Sequence, residues 1–170
     1  MEVFIIIAVL FVLTLVLGAV YHKKQEKAMK EAGLDKCPAV VCGDYVGGHP
    51  EVDIKIPNVK VLKKDDTLIL LRINAVTQVP DTTAQIPLSD IKNITVEDSS
   101  TIERKITVGR IFLVGVFALG WRKKKKNELA FVTVEWSDGK FAHDTLFCFE
   151  GHDAMNKANT CRNALIKLCR

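Results

Sequence analysis

The chain has 170 residues, 48% of them apolar and 26% charged, with a formal charge of +4. That apolar share excludes a disordered polymer, and the length left after the apolar N-terminus and the stalk behind it, about 125 residues, suits one domain core. Much of the positive charge sits in two runs, Lys23 to Lys30 and Arg122 to Lys126, which is not the broad basic face of a nucleic-acid binder.

The N-terminus comes first. From Val3 to Tyr21 the chain reads VFIIIAVLFVLTLVLGAVY without a charge. As a helix, about 19 residues at about 1.5 Å each cover about 28 Å, a spanning length. Residues 1–21 are therefore expected to form a single-pass transmembrane anchor. A cleaved secretory signal would open on Lys or Arg and end in small residues, whereas this segment opens Met1-Glu2 and runs into His22-Lys23-Lys24. Lys23, Lys24, Lys27 and Lys30 crowd one flank of the span. The bias of cationic flanks toward the cytoplasm then places the N-terminus outside the cell membrane and the rest of the chain in the cytoplasm. Five cysteines without a compact spacing fit reduced thiols. In that orientation the glycosylation-like Asn93-Ile94-Thr95 never meets the modifying machinery.

Residues 22–53 read as a helical stalk and a linker. HKKQEKAMKEAG, 22–33, continues the helix into water, with Gly33 as its stop. Pro38, Gly43, Gly47, Gly48, Pro50 and Pro57 then leave room for one short strand around Cys42 to Val46. The folded domain is expected over 54–170. Val59 to Lys63 and Thr67 to Ile73 flank the polar turn Lys64-Asp65-Asp66 as a hairpin. Ala84 to Pro87 is a short extended piece, Leu88 to Ile91 a single turn, and Lys92 to Glu97 a half-buried strand with Ile94 and Val96 inward.

Ile111 to Trp121, IFLVGVFALGW, is an apolar run bounded by Arg110 and by Arg122 to Lys126. Its 11 residues cover only about 17 Å as a helix against a hydrocarbon core of about 30 Å, so a second span is rejected. A buried core segment or a membrane-surface segment remains. Farther on, Glu128 to Trp136 and Lys140 to Phe149 flank Ser137-Asp138-Gly139, a strong hairpin signal. From His152 to Arg170, Ala154, Ala158, Cys161, Ala164, Leu165 and Leu168 recur three or four apart, predicting a closing amphipathic helix.

The order Ile86-Pro87-Leu88-Ser89-Asp90-Ile91, strand, Gly109-Arg110 with an apolar stretch ending Phe117-Ala118-Leu119, Lys cluster, strand, Asp-Gly, Phe-rich strand, helix resembles bacterial pleckstrin-homology-like (PH or GRAM-like) domains over roughly residues 54–170. The resemblance implies a mainly β, α+β fold: a bent antiparallel sheet forming two halves of a partly open barrel, capped by a C-terminal helix. It also implies a module that binds lipid head groups, peptides or proteins, and no enzyme. The head-group loop of such folds corresponds here to Lys63 and Lys64, but Asp65 and Asp66 beside them oppose an anion.

Among candidate sites, Arg110, Trp121, Arg122, Lys123, Lys124, Lys125 and Lys126 suit contact with anionic lipid, at about 1 kcal/mol per cation near the surface, with Trp121 at the interface. The competing reading is a solvated, protective loop. Cys37 and Cys42 have a spacing open to a zinc half-site or a redox pair, but no second close pair completes it, so no metal or other cofactor is expected. His49, His143-Asp144 and His152-Asp153 form no linked catalytic set. On a strand His143 and Asp144 face opposite ways, and Cys148 lies on the side away from His143. Gly47-Gly48-His49-Pro50 lacks the frame of a phosphate loop and reads as a turn. The leading expectation is a tethered module that scaffolds an unknown protein partner or itself at the cytoplasmic membrane face. Lipid sensing through Arg122 to Lys126 is the alternative, and a cysteine-dependent redox or zinc role is less favoured.

Overall fold

The computed structural model describes residues 2–73, 80–107 and 129–170. The apolar run Ile111 to Trp121 lies outside the described residues. The chain divides into two compact units, residues 1–36 with 73–81 and residues 37–72 with 82–170.

In the first unit α1 spans Glu2–Glu31, 30 residues, or about 45 Å. Its sequence holds no proline, and its β-branched residues are interspersed with Leu and Ala, which favour the helix. Gly33, at φ 65°, ends it. The Gly33 N–H donates to the Lys30 carbonyl at 2.9 Å and the Leu34 N–H to the Met29 carbonyl at 2.9 Å, the paired bonds of a Schellman stop at the glycine expected to supply it. Of the segment expected to span a membrane, the side chains of Val3, Ile5 and Ala8 lie outside the described residues; among those described, no helix is long and apolar enough to cross a membrane. The uninterrupted described stretch Val9 to Tyr21 covers only about 20 Å.

After α1 the described elements are β1 (Ala39–Val41), β2 (Asp44–Gly47), β3 (Lys60–Lys64), β4 (Thr67–Ile73), β5 (Pro80–Pro87), a 3-10 turn at Leu88–Asp90, β6 (Ile91–Asp98), α2 (Ser99–Thr107), β7 (Leu129–Ser137), β8 (Ala142–Glu150) and α3 (Ala154–Cys169). Among the described residues these strands make two sheets, ordered β1-β3-β4-β5 and β2-β8-β7-β6. The pairs β1/β3, β3/β4, β2/β8, β6/β7 and β7/β8 are antiparallel. The fold is mixed α+β with a closing helix, as expected.

Residues 39–47 act as one bent strand that serves both sheets. One edge keeps its partners throughout: Ala39 to Val41 pair with Leu62 to Lys60, Cys42 donates to Val59 at 2.8 Å, and Tyr45 and Ile56 exchange bonds at 2.8 and 3.1 Å. The other edge, from Asp44 on, pairs with β8. The single short strand expected around Cys42 to Val46 is thus two strands with Cys42 and Gly43 between them. The breakers that suggested a linker instead mark turns and close approaches. Asp44 organises the return turn, accepting from the Asn58 N–H at 3.0 Å and pairing with Lys55 Nζ at 2.7 Å.

Glycine is required where β2 leaves the sheet. The β2/β8 register slips between Tyr45 and Gly47. At Gly48, φ is +90° and a Cβ would overlap the Asp144 carbonyl oxygen; at Gly43 a Cβ would overlap that of Cys148.

The core between the sheets takes Val61, Leu68, Leu70, Ala84 and Ile86 from one side and Ile94, Ala130, Val132, Val134, Trp136 and Phe147 from the other. Strand alternation supplies one face from each strand. Helix α3 closes it with Ala154, Ala158, Cys161, Leu165 and Leu168. These are the stripe expected from the sequence, except that Ala164 is half-buried. Arg162 Nε donates to the Ile94 carbonyl at 2.8 Å and ties α3 to β6. The outer face of the second sheet carries a separate apolar cluster, Val46, Leu129, Phe131, Leu146 and Cys148, under Ile102 of α2.

Gly48→Ala is expected to destabilise the protein by about 2 kcal/mol or more, through positive-φ strain and the collision with Asp144. Thermal melts of the full-length chain in detergent check this, with Gly139→Ala as a comparison that shares the positive φ but has open space around it.

Candidate functional site

The cations expected to meet lipid, Arg110, Trp121 beside them, Arg122, Lys123, Lys124, Lys125 and Lys126, lie outside the described residues. The lysines expected to set topology are described: Lys23, Lys24, Lys27 and Lys30 are exposed on the last turns of α1. There Lys27 pairs with Glu31 at 3.7 Å and His22 with Glu26 at 3.5 Å, both one helical turn apart. The apolar residues before them stand outward all round the helix, from Phe4 at 80% exposed to Leu17 at 46%.

In the second unit the polar side chains gather in two places. The first is the outer face of the second sheet. Asp98 begins α2 by accepting the Thr101 N–H at 2.8 Å, and this hydrogen bond holds its carboxyl below the ordinary range. Ile102 and Lys105, three residues apart, then face the same sheet. Lys105 Nζ lies 2.8 Å from Glu97, 3.2 Å from Glu135 and 3.4 Å from Asp144, and Thr133 donates to Glu97 at 2.9 Å. Burial pulls the Lys105 ammonium down, but the hydrogen bond to Glu97, the charge of Asp144 and the hydrogen bond to Glu135 outweigh it and hold the pKa above its ordinary value. The ammonium is thus a fixed positive charge joining three strands to α2. Nothing in the sequence brought α2 forward, because nine residues are too few for an apolar period to repeat; Asp98-Ser99-Ser100-Thr101 was the available capping signal.

The second place is a stack of three rings. Trp136 is flanked by His49, with ring centroids 5.1 Å apart, and by His143 at 4.5 Å. Its indole N–H donates to Thr145 Oγ1 at 2.9 Å. His49 Nδ1 accepts the Glu51 N–H at 3.2 Å while Nε2 lies 3.3 Å from the Gln85 carbonyl. That pattern fits only the neutral ring with its proton on Nε2, because a carbonyl accepts and an N–H donates. Burial lowers the His49 pKa, the nearby His143 adds to this, and Gln85 and Glu51 oppose it. Both ring nitrogens are occupied by backbone, which is an anchoring role for the Gly48-His49-Pro50 turn. Tyr45 completes that turn: its hydroxyl donates to Val52 at 3.0 Å and accepts the His49 N–H at 3.1 Å, and burial pushes its pKa up to about 12.

His143 and Asp144 do face opposite ways. His143 meets Asp138 at 3.0 Å, while Asp144 joins Lys105. Asp138 also accepts the Phe141 and Lys140 N–H groups at 2.7 and 2.9 Å. These bonds, the Phe141 one foremost and His143 next, hold its carboxyl at about 2. The Asp-Gly signal therefore closes the hairpin, with Ser137 paired to Ala142 across a loop of 138–141.

All five cysteines are thiols. The sulfur beside Cys42 belongs to Cys161, not to Cys37 as the spacing suggested. Among the described residues no group of three or more His, Cys, Asp or Glu side chains is placed to hold a metal ion.

Lys105→Ala leaves three carboxylates facing one another and is expected to cost about 3 kcal/mol, with Lys105→Arg recovering part of it; denaturant melts of the full-length protein measure both. His49, whose folded pKa is lowered, contributes stability that is present above its unfolded value of about 6.5 and is lost as pH falls below it. Melting temperature should therefore fall between about pH 7 and pH 5, less steeply in His49→Gln.

No protein-family model matches the chain, and no curated protein matches it.

Proposed function

We propose that this chain is a single-pass, membrane-tethered binding module of pleckstrin-homology-like type, which scaffolds a protein partner or a second copy of itself at the cytoplasmic membrane face and performs no catalysis. The observation that carries the reading is α1. Large apolar side chains stand exposed on every side of it, and lysines follow at once on one flank. A helix apolar all round needs a nonpolar surrounding, since one core can cover only one stripe. With the residues before Val9 included, the apolar length reaches the thickness of a bilayer core. The lysine bias sets the orientation.

Two features support the domain type. The segment 39–47 gives β1 to one sheet and β2 to the other, and a C-terminal helix closes the core between them; this is the arrangement expected of a bent, partly open barrel. Among the described residues, Lys105 joins α2 to the sheet and His49 fastens a turn.

Full-length protein is expected to stay in the membrane pellet through alkaline carbonate extraction, and a chain lacking residues 2–21 to move to the supernatant. Recovery of the intact chain in the supernatant would sink the reading. Orientation has its own reporter, because Asn93 is exposed on β6. On translation into microsomes the native chain should remain unglycosylated. Replacing Lys23, Lys24, Lys27 and Lys30 by Gln while adding lysines before Val3 should invert it and bring a glycan onto Asn93. For the partner, photo-crosslinking in native membranes should capture protein on the domain; capture of acidic lipid alone, lost when Arg122 to Lys126 become Gln, would replace scaffolding by lipid sensing.

A further inference from the structure

Cys42 and Cys161 are 119 residues apart in sequence, yet their sulfurs lie 3.2 Å apart. Cys42 stands between β1 and β2, where the bent strand passes from one sheet to the other, its N–H held by the Val59 carbonyl at 2.8 Å. Cys161 lies midway along α3 on its buried stripe. The two side chains are 2% and 5% exposed, and both belong to the core between the sheets. To reach the covalent separation of about 2.05 Å the sulfurs have only about 1 Å to close.

We propose that Cys42 and Cys161 are a modification site: a dithiol that closes to a reversible disulfide, with a small disulfide such as oxidised glutathione as the oxidant, and locks α3 onto the strand shared by the two sheets. One of the two thiols loses its proton and attacks a sulfur of the small disulfide. That S–S bond breaks, one small thiolate leaves, and a mixed disulfide remains. The second protein thiol, deprotonated in turn, attacks the protein sulfur of the mixed disulfide and expels the second small thiolate. The two released protons end on the two small thiols, and the two electrons have passed to the oxidant.

Burial makes this slow and selective. The hydrogen bond from Cys161 and then burial hold the Cys42 thiol well above its ordinary range, so the thiolate forms when α3 opens locally. Once closed, the bond ties a loop of more than a hundred residues and constrains the unfolded chain. Nothing in this depends on the membrane reading.

The test uses the full-length chain in detergent, equilibrated with oxidised glutathione or with dithiothreitol, then denatured, alkylated, digested and mapped by mass spectrometry. The oxidised sample should contain the Cys42 peptide joined to the Cys161 peptide with the loss of two hydrogens. Its melting temperature should rise by roughly 5–15 °C. Cys42→Ser and Cys161→Ser should each abolish both the link and the rise, and Cys37→Ser should leave both intact. A Cys37–Cys42 link, glutathione adducts without the Cys42–Cys161 link, or five thiols still open to alkylation would overturn the proposal. The mapping of the native chain decides it even if a serine variant fails to fold.

Discussion

One strand must serve two sheets, and the second unit depends on that constraint. Residues 39–47 keep β3 and the Ile56 to Val59 segment on one edge while the other edge takes up β8 from Asp44 onward. For β8 to come so near, the backbone of the bent strand has to lie against the Cys148 and Asp144 carbonyls. Only residues without a Cβ fit there, at Gly43 and Gly48. The core between the sheets and the seat of α3 follow from that approach.

The second sheet is covered on both faces, and the two covers differ in chemistry. Toward the first sheet the packing is mostly apolar, and two large side chains there carry polar atoms that find partners, Trp136 with Thr145 and Tyr45 with Val52 and His49. Toward α2 the cover is divided: Ile102 seals Phe131, Leu146 and Leu129, and one turn later Lys105 gathers Glu97, Glu135 and Asp144. Apolar contact tolerates sliding, whereas hydrogen-bonded charges do not. The pairing therefore fixes the register of a short helix whose own propensity is weak.

Elements whose partners lie close along the chain were legible. Gly33 ends α1 because a left-handed residue closes the last turn locally. Asp65 and Asp138 sit in turns between adjacent strands. The α3 stripe appeared because helical spacing repeats over four turns. Residues 37–57 were harder. Their glycines and prolines resemble a linker, and only the position of β8 explains why glycine is needed at 43 and 48. The candidate site was least legible: Lys105 meets carboxylates from three strands, Cys42 meets a sulfur 119 residues away, and the basic run Arg122 to Lys126 falls outside the described residues.

By itself, then, the amino-acid order determined an apolar N-terminal helix with a cationic flank, the positions of the hairpins and the closing amphipathic helix. Each of these is written in the period of side chains along a single segment. Which strand belongs to both sheets, which cation holds α2, and which sulfur stands beside Cys42 were decided only by the tertiary structure. Each depends on contacts between residues far apart in the chain, and no local spacing encodes them.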